Sequence, residues 1–356
     1  MIFENSNIFY IYKKSNLDIK QFLSICFEIY GLKYKIDENE NTLLHLVCDY
    51  GNINLVKKII KYSLLSSFVD VKNKQYKTAF NLALENNYFD ILKVLLKYGA
   101  NIDSTMQFGE TSLHRSVSYN DIFQTYFLLK NGANINSLDY ENCTPLHWAC
   151  HNNCYNVVKI LLRNGAKVNL KNKFGLFPIH KCLNEYCTCI KKNIDTNKNE
   201  IKYRIKIVKK LLFYKANVNC VDNIGRTPLH FCTSPVICNL LISNGANINK
   251  VNHSGDTPLH YASQNGNLEI VKILLKILLK NNINYKQLND NFENAIDICN
   301  NELILKQFTE YDNIQIEKQK ALYSVYKCNV NEICKFKGLC DDIEPIILDY
   351  VITQPF

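Results

Sequence analysis

Thr144-Pro145-Leu146-His147-Trp148-Ala149-Cys150 opens the stretch on which the reading of this chain turns, and Val157-Val158-Lys159-Ile160-Leu161-Leu162-Arg163-Asn164-Gly165 completes it. Thr144 is suited to cap a helix whose first residue is Pro145, where a missing N–H costs nothing. Leu146, Ala149 and Cys150 place small and apolar groups on one face. Val157, Val158, Ile160, Leu161 and Leu162 form an apolar stripe at helical spacing, and Gly165 supplies a left-handed stop. Two helices joined by a turn are predicted. The unit recurs: Thr78 to Thr111, Thr111 to Thr144 and Thr144 to Phe177 are each 33 residues apart.

A 33-residue period carrying Thr-Pro-Leu-His-x-Ala resembles the ankyrin repeat. That resemblance implies an all-α solenoid of helix-turn-helix repeats with β-hairpin fingers, each repeat burying its core against its neighbours. Copies open at Thr42, Thr78, Thr111, Thr144, Phe177, Thr227 and Thr257, with a weak eighth at Ala295. Residues 1–41, with Leu17, Ile19, Phe22, Leu23, Cys26 and Ile29 on one face, read as a degenerate N-terminal repeat or cap. Residues 42–311 hold the repeats, and 312–356 form a helical tail. From Phe177 to Thr227 is 50 residues, so an insertion is expected at about 185–201, ahead of a helix holding Ile205, Val208, Leu211 and Leu212. Pro235 disfavours helix at Ser234 and shortens the first helix of its copy.

Composition narrows the class further. The 356 residues carry a net charge of +9, which permits an acidic partner, but no run of five like charges points to nucleic acid. Asn, Lys and Ile are favoured over Gly and Pro, a pattern read as coding bias. Fifteen cysteines are an odd number; most fall at core positions such as Cys48, Cys150, Cys182 and Cys232, which suits reduced thiols. The start of the chain lacks a signal-peptide pattern, and no stretch of 18 apolar residues is present to span a membrane. A cytoplasmic protein is expected, the nucleus remaining open, with no membrane partner and a monomeric state.

Candidate chemistry is sparse. His45, His114, His147, His180, His230 and His260 hold the signature position, where the resemblance implies an imidazole bonded to the Thr and to backbone, tying repeat to repeat. His151 and His253 fall outside it and read as surface residues. Cys182, Cys187 and Cys189 with His180 are the one local metal-like cluster, yet no second Cys-x-x-Cys completes a zinc site. No phosphate loop, Gly-x-Ser-x-Gly or His-Glu-x-x-His appears. No catalytic residue, metal or cofactor is assigned, and an enzyme is not expected.

A surface remains. The resemblance implies that finger tips and the outward side of each first helix line a groove for a target protein. Tyr76, Phe108, Tyr140 and Phe174 put an aromatic on four successive fingers, followed by Ile224; such rings either serve an interface, where Tyr and Phe are enriched, or pack finger against finger. Tyr50, Tyr119, Trp148, His151 and Asn152 are the groove candidates on the first helices, with Trp148 expected to be half-buried. The basic insertion (Lys191, Lys192, Lys198, Lys202, Arg204, Lys206) reads as a solvated loop.

The tail Leu339-Cys340-Asp341-Asp342-Ile343-Glu344-Pro345-Ile346-Ile347-Leu348-Asp349-Tyr350-Val351 resembles the core of an F-box. The match carries over at Leu339, Ile343, Ile347, Leu348 and Val351, while Cys340 replaces Pro and Asp342 replaces Glu. An F-box-like segment after many ankyrin repeats is similar to the PRANC arrangement of poxvirus-type ankyrin proteins. It implies an adaptor that docks the Skp-type subunit of a cullin ubiquitin ligase, in a viral setting a host-range factor in the host cytoplasm. A SOCS-box-like tail, or a helix that merely caps the solenoid, are the alternatives, the last leaving a plain ankyrin scaffold or inhibitor.

Overall fold

The computed structural model describes residues 35, 37–62, 68–183 and 196–337. These form fourteen α-helices and one 3-10 helix, with no strand among the described residues. The all-α repeat architecture is as read; the fingers are tight hydrogen-bonded turns. The chain divides into two compact units, residues 1–182 with 202–215 and residues 183–201 with 216–356.

In the first unit the helices alternate: α1 (Leu43–Asp49) and α2 (Ile53–Tyr62), α3 (Ala79–Glu85) and α4 (Phe89–Lys97), α5 (Ser112–Ser118) and α6 (Ile122–Lys130), α7 (Pro145–His151) and α8 (Tyr155–Arg163). First helices pack on first helices, α1 on α3 and α5 on α7, and second helices on second helices, α2 on α4 and α6 on α8. Two rows result. α9 (Pro178–Leu183) and α10 (Thr196–Phe213) follow. The same apolar core pair recurs in α2, α4, α8 and α10: Leu55 and Val56, Ile91 and Leu92, Val157 and Val158, Ile207 and Val208 are all buried.

The first helices that open on Thr begin with the same device. At α7, Thr144 Oγ1 accepts the N–H of His147 (3.4 Å) while the Thr144 N–H donates to His147 Nδ1 (3.0 Å). A backbone N–H can only donate, so Nδ1 carries no proton and Nε2 must. That Nε2–H then donates to the Leu176 carbonyl of the next repeat at 3.1 Å. His45 reaches Lys77 O at 3.0 Å and His114 reaches Cys143 O at 3.0 Å in the same way. Asn81, which replaces His in α3, keeps the cap through its Oδ1 and sends its amide to Ser112 Oγ at 2.8 Å. A second ladder runs beside the first: Asp70 accepts from the Asn101 N–H at 2.9 Å, Asp103 from Asn134 at 3.0 Å, and Asn136 from Lys167 at 2.9 Å.

The second unit contains the 3-10 helix Pro228–Phe231, α11 (Pro235–Ser243), α12 (Pro258–Gln264), α13 (Leu268–Lys280) and α14 (Glu302–Lys337). Pro235 does shorten the helix before it to a 3-10 turn, and itself becomes the first residue of α11. His230 and His260 repeat the bridge, to Asp256 O at 3.1 Å and Glu293 O at 3.2 Å. α14 packs on α13 through buried Ile304, Phe308 and Tyr311, with Tyr285 stacked on Phe308 at 5.7 Å. The helix runs on past Tyr311 to Lys337. Leu339, Ile343, Ile347, Leu348 and Val351 lie outside the described residues, as do Cys187, Cys189 and the N-terminal face from Leu17 to Ile29.

Candidate protein-binding surface

The fingers of the first unit are stitched together by backbone. Lys74 N–H donates to Asn39 O (2.8 Å), Tyr140 N–H to Phe108 O (3.1 Å) and Lys173 N–H to Glu141 O (2.8 Å). On this scaffold Tyr76, Phe108, Tyr140 and Phe174 are each more than half exposed. They do not share one register. Phe108 and Phe174 hold the middle of their turns, Tyr140 sits one residue earlier, and Tyr76 one residue later. The Tyr140 ring lies on Gly109 so closely that a Cβ there would fall 2.4 Å from it. Tyr140 thus serves finger packing on one side and faces solvent on the other.

Tyr76 is the unusual member. Its φ is +60°, at the turn position held by Gly109 and Gly175 in later fingers and by Glu40 (φ +59°) and Asn142 (φ +57°) in two others; Tyr76 is the bulky aromatic among them. A bulky residue in left-handed backbone is strained by about 1–2 kcal/mol. Strain kept at an exposed aromatic is an observation that points to use. In the second unit Phe292 does the same, with φ +61° and an exposed ring, at the position of Gly225 and Gly255. Aligning the turn glycines would have found Phe292 from sequence; reading the aromatics alone did not.

Beside the fingers, the first helices of this unit form two clefts. One, about 350 Å³, is lined by Glu141, Trp148, His151, Asn152 and Lys181. Trp148 is half-buried, as expected from its place in α7. Its Nε1–H donates to Asp139 Oδ2 at 2.9 Å, and its edge meets His114 at 5.9 Å between centroids. His151 is not a simple surface residue: it is half-buried, and its Nδ1 is buried without a hydrogen-bond partner. Burial, with Lys181 and Arg204 adding, lowers its pKa. His253 is exposed, as read.

The other cleft, about 430 Å³, includes Glu85, Met106, Arg115, Tyr119 and Gln124. A charged ledge crosses it. Lys77 pairs with Glu85 at 2.8 Å, Glu85 with Arg115 at 3.2 Å, and Arg115 donates to the Tyr119 hydroxyl at 3.1 Å. Tyr119 is held in place yet mostly exposed. Sequence reading singled out Tyr119 and missed Arg115 and Glu85, whose pairing depends on adjacent repeats aligning them. Tyr50 is more than half exposed at the end of α1.

The described thiols are inert core groups. Nine cysteines from Cys48 to Cys299 are free and buried, and burial pushes Cys154 up to about 11 and Cys182 to about 12. Among the described residues no group of three or more His, Cys, Asp or Glu is placed to hold a metal. Among them, too, no helix is long and apolar enough to cross a membrane.

Stacked helix pairs, Thr-His bridges and exposed fingers define a helical-repeat recognition protein. The chain belongs to the ankyrin-repeat family: the family's profile, ankyrin repeats (3 copies), matches residues 9–106, 99–172 and 199–289. Similar proteins include the tyrosine-protein kinase HTK16 of Hydra vulgaris, 32% identical over 92 residues, 26% of this chain and 12% of that one. The nuclear factor NF-kappa-B p105 subunit of Gallus gallus is 26% identical over 88 residues, 24% and 9% of the two chains. The probable 26S proteasome regulatory subunit p28 of Saccharomyces cerevisiae is 27% identical over 105 residues, 30% and 46%. The match thus spans less than half of each relative. Ankyrin repeats bind protein targets, and the chain is accordingly a protein-binding repeat protein.

Proposed function

We propose that this chain is a protein-protein interaction adaptor, with the fingers and first helices of its first unit holding a target and its C-terminal tail recruiting a ligase. The observation that carries the first half is Tyr76, an exposed aromatic kept in left-handed backbone, in sequence with exposed Phe108, Tyr140 and Phe174. Tyr119 and Trp148 extend the surface onto the first helices, where each is fixed by a hydrogen bond and presents a ring at low further cost in side-chain entropy. The Glu85–Arg115 ledge supplies polar contacts beside the rings, the composition of an interface with aromatic anchors and a charged rim.

The second half rests on the tail sequence. Read as a helix, Ile343, Ile347 and Val351 fall on one side by i, i+4 spacing, with Leu348 beside them. A helix this short has one apolar stripe to bury, and the F-box resemblance assigns it to a Skp-type adaptor in helix-in-groove fashion. The PRANC-like order of repeats and tail extends the proposal to a viral host-range factor acting in host cytoplasm. Affinity capture with the full chain and with the Ile347→Asp chain tests it. Loss of a Skp-type subunit from the second capture, with the target retained, is the expected result. Capture of a target with no ligase subunit from either chain leaves a plain ankyrin scaffold or inhibitor.

A further inference from the structure

One helix of the first unit is built inside out. In α2, α4 and α8 the paired core positions are Leu55-Val56, Ile91-Leu92 and Val157-Val158, all buried. The residues flanking those pairs, Asn54 and Lys57, Asp90 and Lys93, Asn156 and Lys159, are polar or charged. α6 reverses this order. Gln124 and Thr125 take the core positions and are buried, while Phe123 and Tyr126 take the flanking ones and are 80% and 59% exposed. The helix has not slipped, because Leu128 remains buried where Leu161 is buried in α8.

The polar interior is fully engaged. Gln124 donates to Leu84 O at 2.9 Å and to Asn87 Oδ1 at 3.0 Å, and Thr125 Oγ1 donates to Asp121 O at 2.6 Å. Such bonds explain how the core tolerates Gln124 and Thr125. They do not explain why the helix turns a Phe and a Tyr to water. Two valines in the core with polar residues beside them, the pattern α8 carries at Asn156-Val157-Val158-Lys159, would fill these positions and bury more apolar area, so core stability does not call for the present order.

The surroundings specify what covers the rings. α6 packs on α8, and Phe127 contacts Phe89 of α4 at 5.2 Å, so Lys93 and Lys97 lie on one flank and Lys159 and Arg163 on the other. Lys130 follows on α6 itself. Asp90, the acid on these flanks, is paired with Lys93 at 3.0 Å. Two exposed aromatics are thus set within a field of cations.

We infer that the outward face of α6 is a second docking site, separate from the finger surface, for an acidic peptide segment of a partner protein. The partner's apolar side chain covers Phe123 and Tyr126, and its carboxylates meet Lys93, Lys97, Lys130 and Arg163. Charge complementarity of this kind sets specificity and on-rate, while the desolvated aromatics carry affinity. A second copy of this chain is disfavoured because it would bring like-charged rows together. An anionic bilayer is disfavoured because the rings lie on a helix anchored along its length, next to Asp90, and not on a projecting loop.

The test is selection of peptides from a random displayed library on the full chain, followed by titration of the recovered peptides. The variant is Phe123→Asn with Tyr126→Lys, which installs the residues α8 carries as Asn156 and Lys159. Lys93→Glu with Lys159→Glu is the second variant, should the first alter melting. Expected are peptides rich in Asp and Glu around an apolar residue, weakened about tenfold or more by either variant, and weakened also by added salt. Peptides of no acidic bias, or acidic peptides indifferent to both variants, would overturn the inference. So would binding to phosphatidylserine vesicles, or a dimer in sedimentation, that disappears in the Phe123→Asn/Tyr126→Lys chain.

Discussion

The Nε2–H of His147 donates to the carbonyl of Leu176 at 3.1 Å while its Nδ1 accepts from the Thr144 backbone at 3.0 Å. One neutral imidazole therefore caps its own helix and fastens the next repeat. Protonation destroys the arrangement, because a charged ring has no acceptor to offer Thr144. Burial accordingly lowers His147 and His230 to about 4, and lowers His45, His114 and His260 as well.

Acid should loosen the stack before it reaches the carboxylate range. A histidine whose folded pKa lies below its unfolded value near 6.5 binds more protons unfolded, so its contribution is intact above about pH 6.5 and falls as pH drops towards 4. For His147 the loss from pH 7 to pH 5 is about 2 kcal/mol. Urea denaturation at both pH values measures it, and His147→Asn, which copies the Asn81 cap of α3, should show a loss smaller by about that amount.

The capping hydroxyl has its own weight. Thr144→Ala should cost roughly 0.5–2 kcal/mol, read as a lower denaturation midpoint at unchanged slope. Leu161→Pro, in the buried face of α8, should cost about 3 kcal/mol or more and take the adjoining repeats with it. A Leu161→Pro chain that melts like the wild type is incompatible with α8 as described.

Tyr76 separates stability from binding. Tyr76→Gly relieves the left-handed backbone and should leave stability unchanged or raise it by up to about 1 kcal/mol. Target capture should nevertheless fall, since an exposed ring is removed. Thermal melts and a binding titration on the same sample check the two signs.

The tail makes the most specific claim. Ile347→Asp places a charge in the stripe of Ile343, Ile347, Leu348 and Val351 and should abolish capture of a Skp-type subunit without shifting the melt of the repeats. A lowered melt, with no ligase subunit captured by either chain, would instead make the tail a cap.

Much of the fold was legible because the repeat writes its core in local sequence. Thr144, Pro145, His147 and Gly165 each act through backbone within three or four residues or at the next repeat, so their spacing alone declares the unit. Pro235 likewise marked a shortened helix. What escaped depends on comparing repeats position by position. Tyr76 announces itself only when set against Gly109 and Gly175, and α6 only when Gln124 and Thr125 are set against Val157 and Val158. His151 looked exposed because it lies outside the signature, yet the turn of α7 carries it into the cleft beside Trp148. The Glu85–Arg115 pair joins two repeats 30 residues apart and has no local signal at all.

The direct measurement of the central claim is target binding by the full chain against a chain carrying Tyr76→Ser, Phe108→Ser, Tyr140→Ser and Phe174→Ser. Affinity capture identifies the target, and calorimetric titration of that protein measures both chains, with circular dichroism confirming equal helix content. The account expects the four-Ser chain to bind about a hundredfold more weakly or not at all, as loss of an interface's aromatic anchors does. Equal affinity of the two chains would contradict it and remove the fingers from the recognition surface.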